Sequence, residues 1–322
     1  MKKLISIAAL STALLSSPAF ADESQTLSIK DFVGTVTITT GEDFSISGEK
    51  GNINEIRQDG LIIDGNEIID NSRCKNVNGK IELSFGRKSW FKRMGGYKDL
   101  DDYPKLDITV PEGTHLEIRD SVIFGTGEDF GSVDAKVKSC GDLEIGNING
   151  PLILGVSGSG DFSALNTGTA NVKISGSGDV SLGDIETSVI KVSGSGDFDA
   201  ENIEGAAKVT STGSGNIEID TLLGDLVYEG RGSSNFDAQR VDGRISITAT
   251  GSGDVEIEDG DAPTLMITSR GSSNIEFGGT AGDVTVVASG SGNVEIDNAT
   301  GEREVKSSGS SYVKIADTRY DD

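Results

Sequence analysis

The sequence predicts an all-β fold, a single-stranded parallel β-helix whose coils are about 19 residues long. Three observations predict it. A Gly-Ser-Gly-Asp turn returns at nearly constant spacing. Apolar residues two apart follow each turn. Glycine is abundant, at 44 residues, beside only 5 prolines, a balance that fits neither collagen nor a Pro-Gly tail. Internal repeats of this length are the mark of solenoids.

The chain opens with an export signal pattern. Lys2 and Lys3 precede an apolar run, Leu4 to Leu15, too short to span a bilayer, and Ala19-Phe20-Ala21 fits a small-x-small cleavage site. Residues 1–21 are therefore expected to be a signal peptide. The mature chain would start at Asp22, which is not the cysteine of a lipid-anchored protein. No later stretch has the ~18 apolar residues of a membrane helix. Residues 22–322 are expected to form one continuous, soluble domain.

Residues 22–70 alternate polar and apolar, as in Val33-Gly-Thr-Val-Thr-Ile38 and Gly60-Leu-Ile-Ile-Asp64, but lack the Gly-Ser-Gly turn. They are read as strands capping the first end of the solenoid. Residues 71–104 interrupt the pattern and carry a basic, aromatic loop. Residues 105–322 form the repeat, entered through Lys105-Leu-Asp-Ile-Thr-Val-Pro-Glu112 and a weaker coil at Leu116-Glu-Ile118.

The polar residue closing each turn marks the period. The markers are Asp142, Asp161, Asp179, Asp197, Asn216, Asn235, Asp254, Asn274, Asn293 and Tyr312, separated by 19, 18, 18, 19, 19, 19, 20, 19 and 19 residues. One and three residues after a marker come pairs such as Leu143/Ile145, Phe162/Ala164 and Ile217/Ile219, a spacing that puts both on one face of a strand. Seven residues before the marker lies another mostly apolar position, with Ile190, Val209 and Tyr228 among its members. Such a unit is too short to bury its own apolar face, but stacked coils bury it. Glycine in the turns is expected to supply φ > 0. Phe162, Phe198 and Phe236 fall in alternate coils, each with an Ala two residues on, the large-small alternation that a narrow core needs. A β-sandwich would not hold one turn formula in register through ten cycles.

The secretory start, the Leu106-Asp-Ile-Thr-Val-Pro111 strand and the serial Ser-Gly-Ser-Gly-Asp turns resemble the auto-transporter adhesin head GIN domain family of exported bacterial proteins. The resemblance covers nearly all of the mature chain. It implies a right-handed β-helix and an envelope location.

Four features are candidate sites. The marker aspartates could form an oxygen ladder for Ca²⁺, or each could accept hydrogen bonds from backbone N–H groups of its own turn. Two residues after the marker, Asp199, Glu218, Asp237, Glu256, Glu276 and Glu295 place six acids in consecutive coils. Stacked ~4.8 Å apart, neighbours repel by roughly 1 kcal/mol even in water. This stripe is either a solvated face that resists aggregation or a recruiter of divalent cations or a basic partner. In the 71–104 insertion, Arg87, Lys88, Trp90, Phe91, Lys92 and Arg93 form a basic-aromatic cluster suited to a partner, with packing of Trp90 and Phe91 on the helix flank as the alternative. Cys74 and Cys140 are expected to pair in an oxidising compartment, two free thiols being the other reading.

A formal net charge of -24 argues against nucleic acid and anionic lipid as partners and draws cations to the surface. His115 is the sole histidine, so histidine-dependent triads and His/Cys metal centres have little to rest on. The expectation is a non-enzymatic envelope adhesin or scaffold needing no cofactor, with Ca²⁺ as the one candidate ion. It would lie in the periplasm, at the outer membrane or outside the cell, as a monomer or weak homo-oligomer bound to an envelope protein or glycan. The alternative is a β-helix lyase or glycosidase acting on acidic polysaccharide.

Overall fold

The computed structural model describes residues 25–57, 60–67, 69, 73–85 and 96–321. They form a β-solenoid of about eleven turns. Each regular coil has one strand after the marker, a short corner and a second strand before the next turn. The strands after the marker stack in parallel with every apolar pair in register: Leu143 on Phe162, Phe162 on Val180, Val180 on Phe198, and on to Val294 on Val313. We call the outward side of this stack the marker face. The strands before the turn stack likewise, from Ser132–Ser139 and Leu152–Gly158 to Arg303–Gly309, and make the opposite face. Corner residues Ile148, Thr167, Ile185, Ile203 and Leu222 stack between them.

The interior is a single apolar column. Phe162, Phe198 and Phe236 are fully buried, and Ala164, Ala200 and Ala238 take the narrow position beside them. Each additional coil buries the apolar face of the last, which is how a unit of 19 residues becomes stable. Differences in coil length are absorbed at corners. The 20-residue coil gains its residue between Asp261, which bonds to Asp242 nineteen residues back, and Leu265, which pairs with Ile245 twenty back.

The turn glycines have a reason that the sequence reading did not give. Gly158 and Gly290 do have φ of +128° and +124°. Gly176, Gly194 and Gly213 do not; at these positions a Cβ would lie 2.0, 1.9 and 1.9 Å from the carbonyl oxygen of the glycine one coil back. The turns stack backbone on backbone, and only a residue without a side chain fits between them.

The amino-terminal strands are interleaved with the solenoid. Thr26–Lys30 pairs in parallel with His115–Gly127 on one side and with Gly60–Asp64 on the other. Val33–Gly41 lies between His115–Gly127 and Lys105–Pro111. Residues 26–41 are thus one coil inside the end, and Gly60–Asp64 with Lys105–Pro111 make the terminal coil. The antiparallel strands Asn54–Arg57 and Ser45–Glu49 cover those two. At the far end, Thr318–Tyr320 folds back antiparallel on Val313–Ile315.

The insertion adds a three-stranded sheet of Arg73–Val77, Lys80–Ser84 and Lys98–Asp99. It packs through a second small core in which Leu83 and Tyr103 meet Val33, Val122 and Phe124 of the solenoid, with Phe85 edge-on to Tyr103. Burial raises the Tyr103 phenol to about 12. Cys74 and Cys140 form a disulfide, with Cα atoms 6.1 Å apart, tying this sheet to the first Gly-Asp turn.

Candidate functional site: the acidic marker face

The marker side chains work between coils. Oδ1 of Asp161 accepts the N–H of Asp179 at 2.9 Å, Asp179 that of Asp197 at 2.8 Å, and Asp197 that of Asn216 at 2.6 Å. Asn235, Asp254, Asn274 and Asn293 continue the series to Tyr312. The expectation of bonding within each turn is therefore corrected: the donor belongs to the next coil. The physical reason is a gap in the main-chain ladder. The carbonyl of each marker is already taken by the residue after the previous marker, as in Phe162 N–H to Asp179 O at 3.0 Å. The marker's own N–H points back at a side chain instead, and Asp and Asn serve equally because each offers a carbonyl-type oxygen.

Two residues on, the acidic stripe is a true column. Asp199, Glu218, Asp237, Glu256, Glu276 and Glu295 are successive in-register partners. Lys314 ends it, 3.5 Å from Glu295, and the Tyr312 hydroxyl also donates to Glu295. That hydroxyl, more than the lysine, holds the Glu295 carboxyl below its ordinary range. No salt bridge to the acids from Asp199 to Glu276 is found among the described residues. Partial burial pushes Asp199 and Asp237 upward, and like charges on Glu218 and other neighbours add to it.

Towards the amino end the column changes character. Ser163 and Ser181 replace acids, and Gly183 lies beside them. The result is an open groove of about 570 Å³, bounded by Glu144 on one side and by Asp199, Glu201, Glu218 and Asp220 on the other. Leu165, 62% exposed, is among the residues that line it. The acids run in a line, and among the described residues no three His, Cys, Asp or Glu converge to hold one metal ion.

The opposite face went unread in the sequence. Its outward positions, six and eight residues before each marker, include Lys173, Lys191, Lys208, Val189, Val227, Thr248, Thr268 and Val287. Lys173 and Lys191 are direct neighbours in register. The solenoid is therefore two-sided, acidic on the marker face and of mixed charge on the other, where Asp134, Glu229 and Glu304 stand among the lysines. Aligning those two positions coil by coil would have revealed it.

The remaining candidates lie elsewhere. His115 is on the opposite face near the amino end, its Nδ1 2.7 Å from Ser132 Oγ, and burial lowers its pKa. Arg87, Lys88, Trp90, Phe91, Lys92 and Arg93 lie outside the described residues, as do residues 1–21. Among the described residues no helix is long and apolar enough to cross a membrane.

A single-stranded β-solenoid whose ordered side-chain columns run the length of two unlike faces is the class of protein these features define. The family model described as "putative auto-transporter adhesin, head GIN domain" matches residues 36–222 and 221–320, and the chain belongs to that family. No curated protein and no solved structure matches the chain.

Proposed function

We propose that the protein is an exported, non-enzymatic rod of the cell envelope that holds a cationic partner along its marker face. The observation that carries this reading is the uncompensated column from Asp199 to Glu276. Five carboxylates in register, without a lysine or arginine among the described residues to balance them, favour an incoming positive charge. The groove beside Leu165 offers the same partner an apolar foothold. The linear arrangement of acids supports binding over glycoside hydrolysis, which needs two carboxyl groups facing one bond. The family description and the signal-like start support export.

A lysine-rich peptide serves as the probe. The rod is expected to bind it, and Asp199→Asn/Glu218→Gln/Asp237→Asn is expected to weaken binding about tenfold, while Lys173→Ala/Lys191→Ala leaves it unchanged. Equal binding by all three proteins would sink the reading. Calcium competing at millimolar concentration would assign the column to divalent cations. Turnover of an acidic polysaccharide would replace the binding role with an enzymatic one. Fractionation of cells carrying the tagged full chain tests export separately.

A further inference from the structure

We infer that the strand Arg303–Gly309 is a docking edge for a second copy of this chain, paired antiparallel about Val305. Three of the four terminal parallel strands carry an antiparallel cover: Gly60–Asp64, Lys105–Pro111 and Val313–Ile315. Arg303–Gly309 pairs with Ile275–Gly290 on one side, and no described strand lies beyond it. Val305 is only partly buried, whereas Val286, its equivalent one coil back, is fully buried.

The direction of its free backbone groups follows from the ladder. Val284 N–H donates to Glu302 O at 2.8 Å, and Ser310 N–H to Gly290 O at 2.8 Å. Even-numbered residues of this strand thus point back into the solenoid, and Arg303, Val305 and Ser307 point their N–H and C=O groups off its end. Antiparallel pairing requires outward residues opposite outward residues, so registers change in steps of two.

Charge then selects among those registers. With Val305 opposite Val305 of the second copy, each Glu304 faces a Lys306 and each Arg303 faces a Ser307. A shift one way sets Glu304 against Glu304; a shift the other way sets Lys306 against Lys306. Like charges directly opposite are destabilising, so of these three registers the one about Val305 is favoured, and it is the one that sets each Glu304 against a Lys306. Glu304 and Lys306 already touch within the chain, at 2.8 Å, and both are exposed. Two-fold symmetry joins the pairs into a ring of four alternating charges. The Thr318–Tyr320 strand on the marker face adds ~4.8 Å per copy on that side, so the joined rods meet at an angle.

Sedimentation equilibrium on the purified chain tests this directly. The wild type should form dimers, and Glu304→Lys or Lys306→Glu should each weaken them at least about tenfold. Mixing the two single variants should restore dimers, because each then opposes the other's charge. Val305→Pro should also abolish dimers while keeping the circular dichroism of the fold, since the lost N–H points outward. A chain that stays monomeric at its highest soluble concentration overturns the inference, as does a dimer indifferent to these changes. Binding of a lysine-rich peptide reads the marker face independently of either result.

Discussion

Asp179 accepts the amide hydrogen of Asp197, eighteen residues further on, at 2.8 Å. It replaces a main-chain acceptor, so its charge is incidental and its oxygen is what counts. Asp179→Ala should cost about 1 kcal/mol in urea unfolding, the usual net value of one such bond. Asp179→Asn should be nearly neutral, because Asn235 does the same for Asp254 at 3.0 Å.

The glycine columns should separate sharply by position. Gly194→Ala would place a methyl 1.9 Å from the Gly176 carbonyl, and backbone cannot give way there. A loss of about 3 kcal/mol is expected, the upper range for overpacking. At Gly155 the nearest atom to a new methyl is a Lys136 side-chain carbon at 3.8 Å, so Gly155→Ala should leave the melting temperature unchanged or higher. Equal penalties at the two sites would contradict the stacking account.

The acidic column makes stability depend on pH in a defined direction. Asp199 and Asp237 have raised folded pKa values, from burial first and like charge second. The stability linked to them is present below the unfolded carboxylate range and lost as pH rises through the folded values. Asp120, held low by Lys138, and Asp242, held low by Arg240, act oppositely and lose stability on acidification. The difference between wild type and Asp199→Asn/Asp237→Asn isolates the first pair. The variant should be more stable at pH 7 by a few tenths of a kcal/mol, and the gap should close towards about pH 4. A gap independent of pH would show that the column carries no electrostatic strain.

Reduction of Cys74–Cys140 frees a cross-link spanning 66 residues. The chain-entropy estimate is about 4 kcal/mol, and Cys74→Ser/Cys140→Ser should approach it in denaturant unfolding. Proteolysis of the reduced chain should begin in the Arg73–Ser84 hairpin, which packs on the solenoid through the small core around Leu83 and Tyr103.

The periodic part of the fold was readable because stacking forces sequence-equivalent residues into contact. Leu143, Phe162 and Val180 share an environment, so selection on one coil resembles selection on the next. The interleaved start was not readable. Leu27 pairs with both Leu61 and Leu116, and no turn motif phases these three segments against one another. The marker bonds were half legible: Asp and Asn announce a backbone donor, but a donor in the same turn and one in the next coil demand the same residue. The acids were found because charge stands out along a period. Their counterpart, the Lys173–Lys191 face, was missed because Lys, Thr and Val share no single property that a scan for apolar or acidic repeats would detect.

The coil-to-coil bonds, main-chain and marker alike, all run along the rod's axis. Tension applied from end to end would load them in series, so the weakest turn would open first and the rest would follow like a zipper. Force applied across the axis, through a partner lying along one face, is divided among many turns at once. A rod built this way is mechanically strong when gripped along its flank and weak when pulled by its tip.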